Sequence, residues 1–133
     1  LDGENLMAKY INSFNLFGDI VASMIRENKS QNILIGFGNY DDLQNTKRKI
    51  LEAFPNIKHG YTITSNHDTG HIVIRLTKNN IVTILHIMHI NQHRLRGFTF
   101  DKIYISTHGI EWLNLLEISA YAREKYITLF GDE

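Results

Sequence analysis

Apolar residues recur at steps of three and four across residues 5–27: Met7, Ile11, Phe14, Phe17, Ile20, Val21, Met24 and Ile25. That spacing makes one stripe on a helix. The opening segment is therefore predicted helical, ending at Asn28-Lys29-Ser30. Gly18 inside the stripe costs about 1 kcal/mol against Ala, which predicts a close neighbour there. "NILIGFG" (Asn32–Gly38) has a different pattern, a continuous apolar run bounded by Gly. Such a run suits a strand covered on both faces, as in a parallel sheet. "NYDDLQNTKRKILEAF" returns to helical spacing through Leu43, Ile50, Leu51 and Phe54, and Pro55 closes it. Asn39 or Asp41 can cap this helix, and Asp41 and Asp42 favour the positive end of its dipole.

Residues 56–70 are polar and rich in turn formers, with a short strand at Tyr61–Thr64. In "HIVIRLTKNNIVTILHIM", Ile72, Ile74 and Leu76 alternate with Val73, Arg75 and Thr77. Two strands around Asn79-Asn80 follow, because Asn tolerates the left-handed backbone of a tight hairpin. "INQHRLRGFTF" is a polar loop, and Lys102–Ser106 is a second buried-type strand. "GIEWLNLLEISAYAREK" reads as a helix with Leu113, Leu116 and Ala120 inward, and "YITLFGDE" as a final strand. Strands alternating with helices imply right-handed crossovers. The expected fold is one α/β domain over residues 1–133, a three-layer sandwich with a mainly parallel sheet and an inserted β-hairpin. Strands 32–37, 102–106 and 126–130 should lie side by side.

Composition narrows the picture. Lys plus Arg total 14 and Asp plus Glu total 14, so no global basic field advertises nucleic acid. The chain has no Cys, which excludes disulfides and thiolate metal sites. No apolar run reaches the ~18 residues of a membrane span, and the start lacks the pattern of a secretory signal. A cytoplasmic protein is expected. The abundance of Ile and Asn with a single Pro suggests an AT-rich, virus-like genome, hence a host cytoplasm. Opening on Leu1 fits either a whole domain or a piece of a longer chain.

Three segments in order resemble one known family. "RGFTFDKIYIS", then a helix, then "ITLFGD" is similar to the acidic strand, helix and Gly-Asp strand of superfamily 1 helicases and phage large-terminase ATPases. "NILIGFGNYDDLQNTKRKI" looks like the strand and helix after their nucleotide-binding helix, and "IRLTKNNIVTIL" like their inserted hairpin. The resemblance covers residues 31–133 and implies a P-loop-NTPase-like fold. It also implies that Ser106 and Thr107 stand where the two acids belong, and that Gly131 and Asp132 form a phosphate-sensing strand end. A working site needs a Gly-rich loop with a Lys on the phosphates and an acid on magnesium. No Gly here is followed by Lys, and neutral hydroxyls cannot replace both acids. The expectation is a degenerate ATPase domain without hydrolysis or cofactor, acting by binding DNA or a protein. The alternatives are a fragment of an active translocating ATPase whose nucleotide loop lies before Leu1, and a small metal-dependent hydrolase.

The hydrolase alternative rests on His71, His86 and His89, with His67, Asp68 and His93 near them in sequence. Positions 86 and 89 on a strand point to opposite faces, so no resident metal is expected there. Ser106, His108 and Glu111 could make a nucleophile relay, but there is no G-x-S-x-G elbow. Ser106 or Thr107 serves more simply as the cap of the next helix. Two cationic knots, Lys47-Arg48-Lys49 and His93-Arg94/Arg96, sit near Tyr40, Phe98 and Phe100 and are the nucleic-acid candidates. Each knot also reads as a solvated surface. Trp112 is a core residue or an anchor on a partner.

Overall fold

The computed structural model describes residues 7–52, 60–65, 71–76, 78, 80–90, 95–110, 112–123 and 126–132. Its elements in order are β1 (Met7–Asn12), a 3-10 turn (Ser13–Asn15), α1 (Leu16–Glu27), β2 (Asn32–Phe37), α2 (Tyr40–Glu52), β3 (Tyr61–Ser65), β4 (Ile72–Leu76), β5 (Ile81–His89), β6 (Lys102–Ser106), α3 (Trp112–Ser119) and β7 (Tyr126–Gly131). The strands form one seven-stranded sheet in the order β1-β7-β6-β2-β5-β4-β3. Along that order from β1 to β5 every neighbouring pair is parallel, while β4 joins β5 and β3 joins β4 antiparallel. The three strands expected side by side are neighbours, in the order β7-β6-β2.

The central parallel strands are covered on both faces, as their apolar character requires. Ile33, Ile35, Tyr104 and Phe130 pack under Leu16, Ile20 and Met24 of α1 and Leu43 and Ile50 of α2. On the other face, Leu34, Ile103, Ile105 and Ile127 pack under Leu115 and Ile118 of α3 and under Leu95 and Phe100. The fold is the expected three-layer sandwich with its hairpin, extended by β3 on one edge and by β1 on the other.

The opening segment departs from the helical expectation. Met7–Asn12 pairs residue for residue with Tyr126–Gly131, and the ladder bonds on the sheet edge outweigh a stripe that fits a helix only loosely. Asn12 Oδ1 accepts a bond from Phe14 N at 2.9 Å, which turns the chain out of the strand and starts the helical part. Phe14 and Ile25 leave the apolar stripe altogether, being 92% and 63% exposed. Gly18 has no close neighbour, since a Cβ placed there meets nothing within 4 Å.

The second departure is α3, which ends at Ser119. Beyond it the amides of Ala120, Tyr121 and Ala122 bond carbonyls three residues back, the tight pattern of an unwinding helix end. The chain then pairs with Phe100, which donates to Tyr121 O at 2.8 Å and accepts from Arg123 N at 2.7 Å. The inward residues are therefore Leu115, Ile118 and Ala122, while Leu116 is only half-buried and Ala120 is exposed. The side chains of Trp112 and Leu113 lie outside the described residues, as does Pro55.

Candidate functional site

A cavity of about 1010 Å³ opens at the carboxyl ends of the parallel strands. In open α/β sheets this is where ligands bind. Each wall follows from the topology. The end of β1 and its turn supply Asn12, Ser13 and Phe14; the end of β6 supplies Ser106, Thr107 and His108; the end of β7 supplies Gly131 and Asp132; and α2 supplies Asp42, Asn45, Thr46 and Lys49. The floor is apolar, with Phe37 and Phe130 edge to face at a centroid distance of 5.5 Å.

The strand ends are held together closely. Thr107 N donates to Phe130 O at 3.0 Å, which locks the loop after β6 to β7. A Cβ at Gly131 would lie 2.7 Å from Thr107 Oγ1 and 2.8 Å from Tyr10 OH, so a side chain there would have to displace both hydroxyls. A Cβ at Gly38 would lie 2.4 Å from Gly109 O, so the turn after β2 rests on the turn after β6. Gly109 takes φ +80°, which suits it to that turn. Asn39 caps α2, its Oδ1 accepting from Asp41 N at 2.9 Å and Asp42 N at 3.2 Å. The capped turn presents Asp42 to His108, with Oδ2 2.5 Å from Nδ1.

The sequence-derived residues divide between places. Ser106 is buried, and its Oγ accepts from His108 N at 3.4 Å, within a turn well before α3. Neither Ser106 nor Thr107 caps that helix, because α3 starts only at Trp112. The acid on His108 is Asp42; Glu111, the acid of the expected relay, lies outside the described residues. Asp132 and Gly131 both line the cavity.

The histidines part company. His89 Nε2 donates to Gly38 O at 3.1 Å, beside the cavity. His86 lies on the other side of β5, its ring 4.2 Å from that of His71 and its Nε2 3.2 Å from Asn32 Oδ1. Burial first, then His71, lowers the His86 pKa to about 4. Burial first, then Lys47, lowers that of His71. Among the described residues no three metal-ligating side chains converge; His67, Asp68 and His93 lie outside them.

The cationic knots also separate. Lys47, Arg48 and Lys49 ride on α2, over one face of the sheet. Arg48 donates to Glu52 at 3.0 Å and Lys49 lines the cavity. Arg96 follows Leu95, which packs on the opposite face, and Arg94 lies outside the described residues. No helix among the described residues is long and apolar enough to cross a membrane.

The sequence matches no protein-family model and no curated protein. Solved structures are similar in fold. The large terminase of a thermophilic bacteriophage superposes with a TM-score of 0.65 at 10% identity, over 96% of this chain and 34% of that one. The same terminase in complex with ADP gives a TM-score of 0.58 at 12% identity, over 98% and 34%. The HK97 bacteriophage large terminase gives 0.59 at 8% identity, over 98% and 30%. At such identities the likeness is one of fold, and the chain spans about a third of the length of these terminases.

Proposed function

We propose that this chain is a terminase-like ATPase domain whose nucleotide cleft has lost hydrolysis, and that it acts by binding nucleic acid or a protein partner. One observation carries the reading. The connection from β1 to α1 occupies the strand-to-helix position in which an ATPase of this fold keeps its phosphate loop. Here that connection is Asn12-Ser13-Phe14-Asn15, without Gly and without Lys. Backbone N–H groups of a Gly-rich loop and a Lys are what cradle and neutralise the β- and γ-phosphates. Across the cleft, Ser106 and Thr107 stand in for the acids that would hold magnesium and orient water. Among the described lining residues, Asp42 and Asp132 add negative charge against Lys49.

The same observation speaks against an active fragment that borrows its loop from upstream sequence. β1 and α1 already precede β2 in the order that the loop strand and its helix would take. The test is phosphate release from Mg-ATP by the purified chain, compared with its Asp132→Ala variant. Release at background for both is expected. Hydrolysis that disappears in Asp132→Ala would overturn the reading and make Asp132 a metal ligand.

A further inference from the structure

Among the described residues, the hairpin end of the sheet has one side under the helices and one side that no buried cluster covers. Ile63, Ile74 and Leu85 point into the core beneath the helices. Their neighbours in the period-two alternation point the other way. There Val73, Val82 and Ile84 are half-buried, and Arg75 is exposed. The apolar cluster under α3 takes no residue from β3 or β4. Among the described residues, no buried cluster covers this valine and isoleucine surface.

A row of rings borders this surface. His71 stands against His86, and His86 meets Phe98 and Phe100 edge on at centroid distances of 5.7 and 5.3 Å. Phe98 stacks on Phe100 at 5.5 Å with 9° between planes, and 44% of Phe98 is exposed. The stack therefore ends in an open aromatic side chain, fixed from below. Two exposed arginines, Arg75 and Arg96, lie on β4 and two residues before Phe98. Arg75 donates to Asn80 Oδ1 at 3.0 Å, which holds its guanidinium without neutralising it. Asp101, which follows Phe100, is already engaged by Arg123 at 3.0 Å and by Asn32 N at 2.8 Å.

We propose that this open face binds single-stranded nucleic acid, with a base stacked on Phe98 and phosphates on Arg96 and Arg75. The proposal deepens the binding role above and rests on it. A β-surface with a presented aromatic accepts unstacked bases, whatever their sequence, through their π faces. Cationic side chains at its border neutralise the backbone. From His86 to Val82, which pairs with Arg75, the face runs four residues, ~13 Å at the rise of a strand, room for about two or three bases. Duplex DNA keeps its bases stacked and offers nothing to Phe98.

The experiment is fluorescence anisotropy with a short labelled oligo(dT) and with a duplex of equal length, at low and at physiological salt. Preference for the single strand is expected. Phe98→Ala and Phe98→Leu should each weaken binding about fivefold to a hundredfold, whereas Phe98→Tyr should bind like the parent. Leu keeps the apolar contact with Phe100, so a loss in Leu separates stacking from folding. Arg75→Gln with Arg96→Gln should flatten the salt dependence by about 1.4 log units per log unit of salt, two single-strand phosphates' worth. Lys9→Gln, on β1 at the far edge of the sheet, should change nothing. Absence of binding at low salt overturns the proposal and leaves the face to a protein partner. Binding indifferent to Phe98, or duplex binding lost with Lys47 and Lys49, overturns it as well. Phosphate release is a separate readout, so failure here leaves the inactive cleft standing, and hydrolysis would remove that reading without touching this one.

Discussion

Lowering the pH below 6.5 should weaken the fold through His86. Its ring is 6% exposed and packed against His71, Phe98 and Phe100. With Asn32 Oδ1 as acceptor at 3.2 Å, the neutral ring keeps its proton on Nε2. A charged ring would lose hydration and face His71, and these two causes in that order lower the native pKa from 6.5 to about 4. The sign follows from linkage. The unfolded chain takes up the proton near 6.5 and the native chain only near 4, so between those values the unfolded state binds more protons and stability falls as pH falls. Above 6.5 the stability is intact, and below about 4 the loss is complete. At 1.36 kcal/mol per unit, the full difference is about 3 kcal/mol, and about 2 kcal/mol of it is lost by pH 5. Against a domain stability of roughly 5–15 kcal/mol this is a large fraction. Urea unfolding at pH 7 and pH 5 measures it. In His86→Gln the fall between the two pH values should shrink by about 2 kcal/mol. His71, lowered by burial and then by Lys47, titrates in the same sense. A residual slope therefore remains, and His71→Gln in the same background should reduce it further. Equal slopes for parent and His86→Gln would refute the assignment.

Two glycines make opposite predictions. Gly38→Ala drives a Cβ to 2.4 Å from the backbone oxygen of Gly109; because backbone cannot rotate away, destabilisation of about 1–3 kcal/mol is expected, read as a lower urea midpoint at unchanged slope. Gly18→Ala meets nothing within 4 Å on an exposed helical face, so it should raise stability by about 1 kcal/mol, and a lower melting temperature would show that α1 is not helical there.

The parallel core is legible in the sequence because its signal is strong. Asn32–Gly38, Lys102–Ser106 and the last strand are short, mostly apolar runs bounded by turn residues, which fits strands covered on both faces. The hairpin is legible from Asn79-Asn80 and the alternation before them; Asn80 takes φ 54°. β1 is not. Its apolar residues continue in step with those of α1, and only its pairing with a strand more than a hundred residues later separates the two. The Asx bond from Asn12 to Phe14 is the one local signal of the break. The site is legible in pieces. Ser106, Thr107, Gly131 and Asp132 come from the resemblance and do line one cavity. Phe14 and Asp42 read as helix residues, since nothing in the sequence shows which helix termini face one another. The His86 stack escapes the sequence for the same reason: histidine spacing on β5 says what cannot converge, and nothing about a Phe from the next loop.

The cleft and the hairpin-side face draw on different residues of one sheet, so the loss of chemistry proposed for one is compatible with the binding proposed for the other. What holds the fold is the pair of apolar clusters, with Ile33, Ile35, Tyr104 and Ile105 fully or nearly fully buried. The residues around the cleft sit at the ends of β1, β6 and β7 and in the turns after them, and neither Ser106 nor Thr107 belongs to an apolar cluster. Core packing is met by many sequences of the right pattern and volume, whereas function belongs to particular loop residues. A fold shared with terminases at about 10% identity is consistent with that separation. β2 joins the two regions, pairing with β6 on the cleft side and with β5 on the hairpin side. Its Asn32 carries the link, donating its backbone N–H to Asp101 Oδ2 and accepting from His86 Nε2 at its side-chain Oδ1. A ligand stacked on Phe98, as proposed, would rest against the centre of the sheet and not the cleft, and its binding would need no nucleotide.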